Sequence, residues 1–323
     1  MITYEKLAKK PQVAKSLIGM SLAELGEFYV EFERAHSERL ASLTKTRSGK
    51  KKRQRSLGGG RKHKYALRDR LLMTLFWLKA YTTYELLGFF YDLNKTNIED
   101  NLKLILDTLA QMSIFNFELP KADRQKLSSV EEVMTAFPDV RLVIDAKEQR
   151  VERPKSKKDK DGNTQNLQKP YYSGKKKAHT IKNQVAISPS GLVEHASKSV
   201  PGSTHDLTLL RQTDLLSELD DDDAAMLDKG YDGIANDHPN KKLYLPFKAR
   251  RNHPLTEEQI AYNKFLATYR IVVEHTMAQL NKFQILAQKF RHQLSKHSAI
   301  FHIVCALVNR RILLRPLKKY SPA

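Results

Sequence analysis

The order of apolar runs between residues 141 and 286 restricts this chain more than any other feature. Arg141-Leu142-Val143-Ile144-Asp145 is a compact apolar run closed by a carboxylate, the pattern of a buried strand that delivers its last side chain to a site. Residues 182–188 and 192–197 read as two more strands, joined through Pro189-Ser190-Gly191 as a hairpin. Ser203 or Thr204 can cap a helix carrying Leu207, Leu209 and Leu210, and residues 224–228 and 243–247 then read as short strands. A long helix is expected over residues 256–286.

Three antiparallel strands, then strands alternating with helices, give a mixed sheet covered by helices, as in ribonuclease H. A doubly wound nucleotide-binding fold fits less well, because the first hairpin is antiparallel and no Gly-rich loop follows the first strand. The expected class is therefore α/β, a ribonuclease H-like mixed sheet with flanking helices, preceded by an all-helical helix-turn-helix region. With 323 residues and 41% apolar content the chain can bury a core for one large domain and a smaller one. The expected boundaries are 1–64 for an N-terminal helix and basic linker, 65–120 for the helix-turn-helix region, 121–316 for the sheet domain and 317–323 for a tail.

Upstream, Leu22, Leu25, Phe28, Tyr29 and Phe32 form an apolar stripe on a helix beginning near Ser21. Residues 45–64 carry ten Lys and Arg and no acid, and Gly58, Gly59 and Gly60 interrupt any helix. Such a segment reads either as a phosphate-binding arm, with Lys50, Lys51, Lys52 and Arg53 as its contacts, or as a solvated linker. Leu67, Leu71, Leu72, Leu75 and Leu78 mark a first helix of the next block. Thr82 or Thr83 can cap a second and Asn94 a third, across the short turn of a helix-turn-helix. The third helix presents Lys95 for phosphate and Asn97 or Asn101 for an adenine edge, while Ile98, Leu102, Ile105 and Leu109 pack inward. Glu99 and Asp100 weaken that reading, and a helical bundle used for assembly remains the alternative.

Asp145, Asp228 and Glu274 are separated by 82 and 45 residues and can converge only through the sheet. Three gathered carboxylates repel one another unless divalent cations relieve the charge, and Mg²⁺ suits them, with Mn²⁺ as a substitute. Two such ions could activate a water or 3′-hydroxyl and stabilise the leaving oxygen of a phosphodiester. Each acid also has a plain reading: a strand-end Asp accepts backbone hydrogen bonds, and Glu274 can pair with Arg270 one turn away. His205 and Asp206 are supporting candidates, although Asp206 is cheaply explained by the first turn of a helix. The acidic run 218–223 lacks the order of a calcium loop and reads as a solvated turn.

The formal net charge of +20 attracts polyanions. Lys175, Lys176, Lys177 and His179 lie where they could hold DNA across the first strand, and Arg270 faces the same side of its helix as Glu274. The single cysteine, Cys305, excludes an internal disulfide framework and reads as a small buried residue. No apolar stretch is read as spanning a bilayer, and no signal peptide is read at the N-terminus, so the expected location is cytoplasmic, nucleoid-associated when bound to DNA.

The segments VIDAKEQRVERPK, YYSGKKKAHTIKNQ, PGSTHDLTLL, MLDKGYDG and RIVVEHTMAQLNKFQIL occur in that order over roughly residues 140–290. They resemble the DDE transposases of bacterial insertion sequences, in particular the group related to Harbinger elements with its DDE-superfamily endonuclease domain. The resemblance implies that Asp145, Asp228 and Glu274 form a metal-binding catalytic triad that cuts transposon ends and joins them to target DNA. It implies terminal inverted repeats and target DNA as partners, and a homodimer or larger assembly. Two positions depart from the pattern: Lys147 stands where the family commonly has Thr, and Asn281 where related enzymes often carry Lys. The expected function is metal-dependent transposition. The alternatives are a metal-dependent endonuclease without integration and a non-catalytic DNA-binding regulator.

Overall fold

The computed structural model describes residues 2–47, 62–112, 139–158, 164–165 and 168–314. Lys50, Lys51, Lys52 and Arg53 lie outside the described residues, as do residues 123–136, where the run after Pro120 reads in the sequence as a short charged helix. The chain divides into two compact units, one of Met1–Asn116 with Phe283–Ile285, the other of Phe117–Lys282 with Leu286–Ala323.

The first unit is helical: α1 (Tyr4–Ala8), α2 (Ala14–Ile18), α3 (Leu22–Arg47), α4 (Leu67–Ala80), α5 (Tyr84–Tyr91) and α6 (Lys95–Gln111). Reciprocal bonds start α3, with Ser21 N donating to Glu24 Oε2 at 2.6 Å and Glu24 N donating to Ser21 Oγ at 3.3 Å. Leu25, Phe28, Tyr29 and Phe32 of its stripe are buried. Helix α4 is buried on nearly every side, from Arg70 through Leu78, so it is the axis on which the other helices pack.

The α5–α6 pair follows the expected helix-turn-helix pattern. Thr83 Oγ1 accepts from Leu86 N at 3.2 Å, and Asn94 Oδ1 accepts from Asn97 N at 2.8 Å. Asp92, at φ 46°, reverses the chain between them. A Cβ on Gly88 would lie 2.4 Å from the Leu93 carbonyl oxygen, so only glycine lets α5 press against its own turn. Ile98, Leu102, Ile105 and Leu109 of α6 are buried.

The second unit is built on a mixed sheet. Its elements are β1 (Val140–Arg150), β2 (Lys157–Lys158), β3 (Thr164–Gln165), α7 (Gln168–Tyr171), β4 (Tyr172–Ser173), β5 (Ala178–Ile187), β6 (Val193–Ala196), β7 (Val200–Pro201), α8 (Asp206–Thr213), β8 (Ala224–Met226), α9 (Ile234–Asp237), β9 (Lys242–Tyr244), α10 (Glu257–Tyr269), α11 (Ile271–Asn281) and α12 (His297–Leu314). The sheet runs β4-β5-β1-β8-β9, with β6 and β7 also pairing with β5. Strand β1 is antiparallel to β5 and parallel to β8, and β8 is parallel to β9. This is the ribonuclease H-like arrangement.

Alternation along β1 separates the two faces. Leu142 and Ile144 join Ala186, Ala225, Leu210 and Tyr231 in one core, beneath α8. Asp145 and Lys147 belong to the other face, where α11 lies over β1 and β5, and α12 meets β6. Two local expectations change. Asp145 does not close its strand: β1 continues to Arg150, paired with β5 as far as Thr180. The long helix divides at Arg270 into α10 and α11, with a further short turn at Gln284–Ala287.

The segment Leu294–Leu314 is long and apolar enough to cross a membrane, contrary to the expectation that none would be, but 56% of the window is buried inside the fold. Ile300, Phe301, Ile303, Val304, Cys305 and Leu307 bury the body of α12, as in a core helix.

Candidate functional site

Asp206 and Asp228 lie near enough to Asp145 for their charges to act on it. Asp145 stands opposite Val185 of β5, and its Oδ1 accepts from Ala146 N at 2.8 Å. Burial pushes its carboxyl above the usual range. The Ala146 N–H and Arg270 pull it back, and Asp228 and Asp206 push it further up by repulsion. Asp228 follows β8 at the entrance to a 3-10 turn over Lys229–Tyr231. The same turn presses on Asp206, because a Cβ on Gly230 would lie 2.7 Å from Asp206 Oδ2. Tyr231 is buried in the core beneath α8, near enough for the charges of all three acids to act on it. Its hydroxyl makes no hydrogen bond, and burial followed by the aspartate charges holds it well above the ordinary phenol range.

Two of these carboxylates already have cations. Arg270 Nη1 donates to Asp228 Oδ1 at 2.9 Å. Lys182 Nζ donates to Asp206 Oδ1 at 2.7 Å and to the Thr204 carbonyl at 2.7 Å, and lies 3.4 Å from Glu148. Lys182 is buried on the α8 face of β5, opposite Glu148 of β1.

Glu274 is exposed on α11, and Arg270, its expected helical partner, is turned to Asp228 instead. Among the described residues no group of three or more His, Cys, Asp or Glu side chains is placed to hold a metal ion. That finding overturns the expected pair of Mg²⁺ ions, the Mn²⁺ substitute, and with them metal-dependent cleavage and strand transfer as this chain's activity. The physical reason is electrostatic. Repulsion among the aspartates is relieved by a guanidinium on Asp228 Oδ1 and an ammonium on Asp206 Oδ1, both from the same chain.

The two departures from the family pattern meet each other. Lys147 Nζ, on the same face of β1 as Asp145, donates to Asn281 Oδ1 at the end of α11. Burial lowers the Lys147 ammonium to about 8; Cys305 acts to raise it and Lys176 to lower it. Deeper on that face His297 bridges Ser199 Oγ at 2.7 Å and Gln149 Oε1 at 2.8 Å, and burial drives the imidazole down to about 3. Neither Lys182, although it lies within the segment YYSGKKKAHTIKNQ, nor His297 was singled out from the sequence, since each matters through a partner distant in sequence.

The expected DNA contacts fall into two groups. In the second unit Lys175, Lys176 and Lys177 are exposed in the turn between β4 and β5. His179 is paired with Tyr172 across that turn, their rings edge to face at 5.8 Å. His205 is exposed before α8 and makes no capping bond. In the first unit Asn97 is exposed, and Lys95 Nζ is 2.7 Å from Glu85 Oε1. The amide of Asn101 is turned inward: Oδ1 accepts from Arg70 Nε at 2.5 Å, and Nδ2 donates to the Asn97 carbonyl at 2.6 Å.

Residues 144–309 match the family described as DDE superfamily endonuclease. The chain is also 29% identical over 258 residues to a probable transposase for insertion sequence element IS702 from Microchaete diplosiphon, covering 79% of this chain and 84% of that one. No solved structure matches it.

Proposed function

This chain belongs to the DDE superfamily endonuclease family, and we propose that within it the chain works as a DNA-binding regulator whose acidic cluster is structural. Family membership implies DNA as its general partner. The observation that carries the reading is the pair of internal ion pairs, Arg270 with Asp228 at 2.9 Å and Lys182 with Asp206 at 2.7 Å. They neutralise acids of a fold in which, among the described residues, no metal-ligating set occurs.

In this reading Asn97 and Lys95 at the start of α6 address a duplex. Lys175, Lys176, Lys177 and His179 hold the phosphate backbone along the sheet unit, where their contribution is electrostatic and independent of sequence. The net charge of +20 supports a long-range pull on the duplex. The finer proposal is that the cognate sequences are terminal inverted repeats of an insertion element, held by two copies of the chain. A protein that occupies such ends without cutting them competes with active enzymes for the same DNA.

The test is binding and cleavage in parallel. Anisotropy with labelled end fragments should give saturable binding that persists when Asp145→Asn, Asp228→Asn and Glu274→Gln are combined. Supercoiled plasmid should stay intact with Mg²⁺ or Mn²⁺. Nicking that needs the metal and disappears with Asp228→Asn would overturn the proposal.

A further inference from the structure

We propose that the aromatic and basic surface of α10, with the loop that precedes it, binds unpaired DNA and stacks its bases on Phe247 and Phe265. The choice of DNA rests on the DNA-binding reading, but none of the residues which that reading assigns to the duplex belongs to this surface.

Helix α10 fully buries one side chain, Leu266, in its 13 residues. Tyr262, Phe265 and Tyr269 recur on it at i, i+3 and i+7, which sets them in a row on one face. A row at that spacing ordinarily faces a core, yet here Phe265 is 46% exposed and both tyrosines are half-buried. Phe265 meets Tyr269 edge to face at 4.9 Å, and Phe247 meets Tyr262 in the same way at 5.3 Å, so Phe247 adds a fourth ring to the row. Phe247 is 45% exposed and is held through its backbone. Its N–H donates to Asn263 Oδ1 at 2.7 Å, and its carbonyl accepts from Asn263 Nδ2 at 3.0 Å. The clamp fixes the chain beneath a ring that faces solvent.

The loop supplies charge in a defined shape. Arg250 and His253 exchange backbone hydrogen bonds at 3.1 and 3.0 Å, with Asn252 at φ 70°, closing a tight turn that carries Arg251. Lys264 is exposed on α10, next in sequence to Phe265. Among the described residues Arg250, Arg251 and Lys264 have no carboxylate partner, whereas Lys248 lies 3.7 Å from Asp232. Glu257 and Glu258 oppose this charge, but they stand in the first turn of α10, two turns before Phe265, where the positive end of the helix offsets them. Exposed rings beside unneutralised cations match a strand whose bases are free to stack and whose phosphates need counter-charge. In a duplex the base faces cover one another, so the rings address unpaired bases. An anionic lipid surface would also meet the cations; the family's general partner, DNA, selects the nucleic acid.

The test uses the full chain with short labelled oligo(dT), the same oligomer carrying one 5-iodouracil, a short duplex, and vesicles of phosphatidylserine and phosphatidylcholine. Saturable oligo(dT) binding is expected, with the photo-crosslink mapping to Phe247, Tyr262 or Phe265. Phe265→Leu and Phe247→Leu keep apolar bulk and remove the ring; each should weaken oligo(dT) roughly 5- to 100-fold, the loss of one stacked base, and leave duplex affinity unchanged. Phe265→Tyr should bind as the parent does. Arg251→Ala should lower the log-log salt slope for oligo(dT) by about 0.7. Both phenylalanines are exposed, so their variants are expected to fold. Duplex binding without oligo(dT) binding would overturn the surface and leave the DNA reading intact. Oligo(dT) binding that Phe265→Leu does not weaken, or vesicle binding in its place, would also overturn it, and tighter binding of oligo(rU) than of oligo(dT) would overturn the assignment to DNA. Ring-dependent oligo(dT) binding by a chain that binds no duplex would support the surface and overturn the duplex reading.

Discussion

Arg270→Met removes the guanidinium from Asp228 while keeping most of the side chain's volume. The pair is half-buried, with Arg270 20% and Asp228 41% exposed, so its loss falls between that of a surface pair, about 0–1 kcal/mol, and a broken buried one, about 3–5 kcal/mol. A loss of about 2 kcal/mol follows, which for a unit of this size lowers Tm by about 4–8 °C. Three aspartates would then share one cation, Lys182, so removing one acid should recover part of the loss. Thermal denaturation of Arg270→Met, Asp228→Asn and the double variant measures this as a cycle. The double variant is expected to melt above Arg270→Met alone. Additive effects, or an unchanged melt for Arg270→Met, would refute the idea that this ion pair neutralises the cluster.

Asp145→Asn keeps the acceptor for Ala146 N and removes a buried charge. The folded carboxyl lies above its ordinary 3.8, so the acid favours the fold below that pH and loses that contribution as pH rises through the folded value. The amide variant should therefore be more stable than the parent at pH 7, with the advantage gone below pH 3.8, as denaturant melts at both pH values would report. His297 shows the opposite sign: its value falls from 6.5 to about 3, so stability present above 6.5 is lost as pH drops through that window, with about one proton taken up on unfolding. His297→Gln should flatten the slope in acid melts. Asn94→Ala should cost about 1 kcal/mol through the lost cap of α6, read as a lower unfolding midpoint. Neutralising Lys175, Lys176 and Lys177 together should weaken duplex binding to many sequences alike and lower the salt slope by up to about 3, measured by anisotropy across salt concentrations.

The local parts of this fold were legible in sequence because short-range chemistry decides them. Asn94 before a helical pattern, the stripe from Ile98 to Leu109, and Pro189-Ser190-Gly191 between two apolar runs each act within a few residues. Strand length was less legible. Asp145 looked terminal because apolar residues stop there, but pairing with β5 carries β1 on to Arg150 through partly buried polar positions. The sequence reading expected Asp145, Asp228 and Glu274 to converge through the sheet and kept Asp206 only as a supporting candidate, and the cations beside Asp228 and Asp206 were not legible in it. Lys182 reads as one lysine among many until the register sets it opposite Glu148 and next to Asp206. Arg270 read as a helical neighbour of Glu274, whereas it stands at the break between α10 and α11 and pairs with Asp228.

Titration of the full chain with Mn²⁺, followed by electron paramagnetic resonance of the free ion, tests most directly whether the acids are neutralised from within. The expected result is a signal that rises in proportion to added Mn²⁺, with no stoichiometric uptake. Uptake of one or two ions per chain, abolished by Asp228→Asn, would contradict the account.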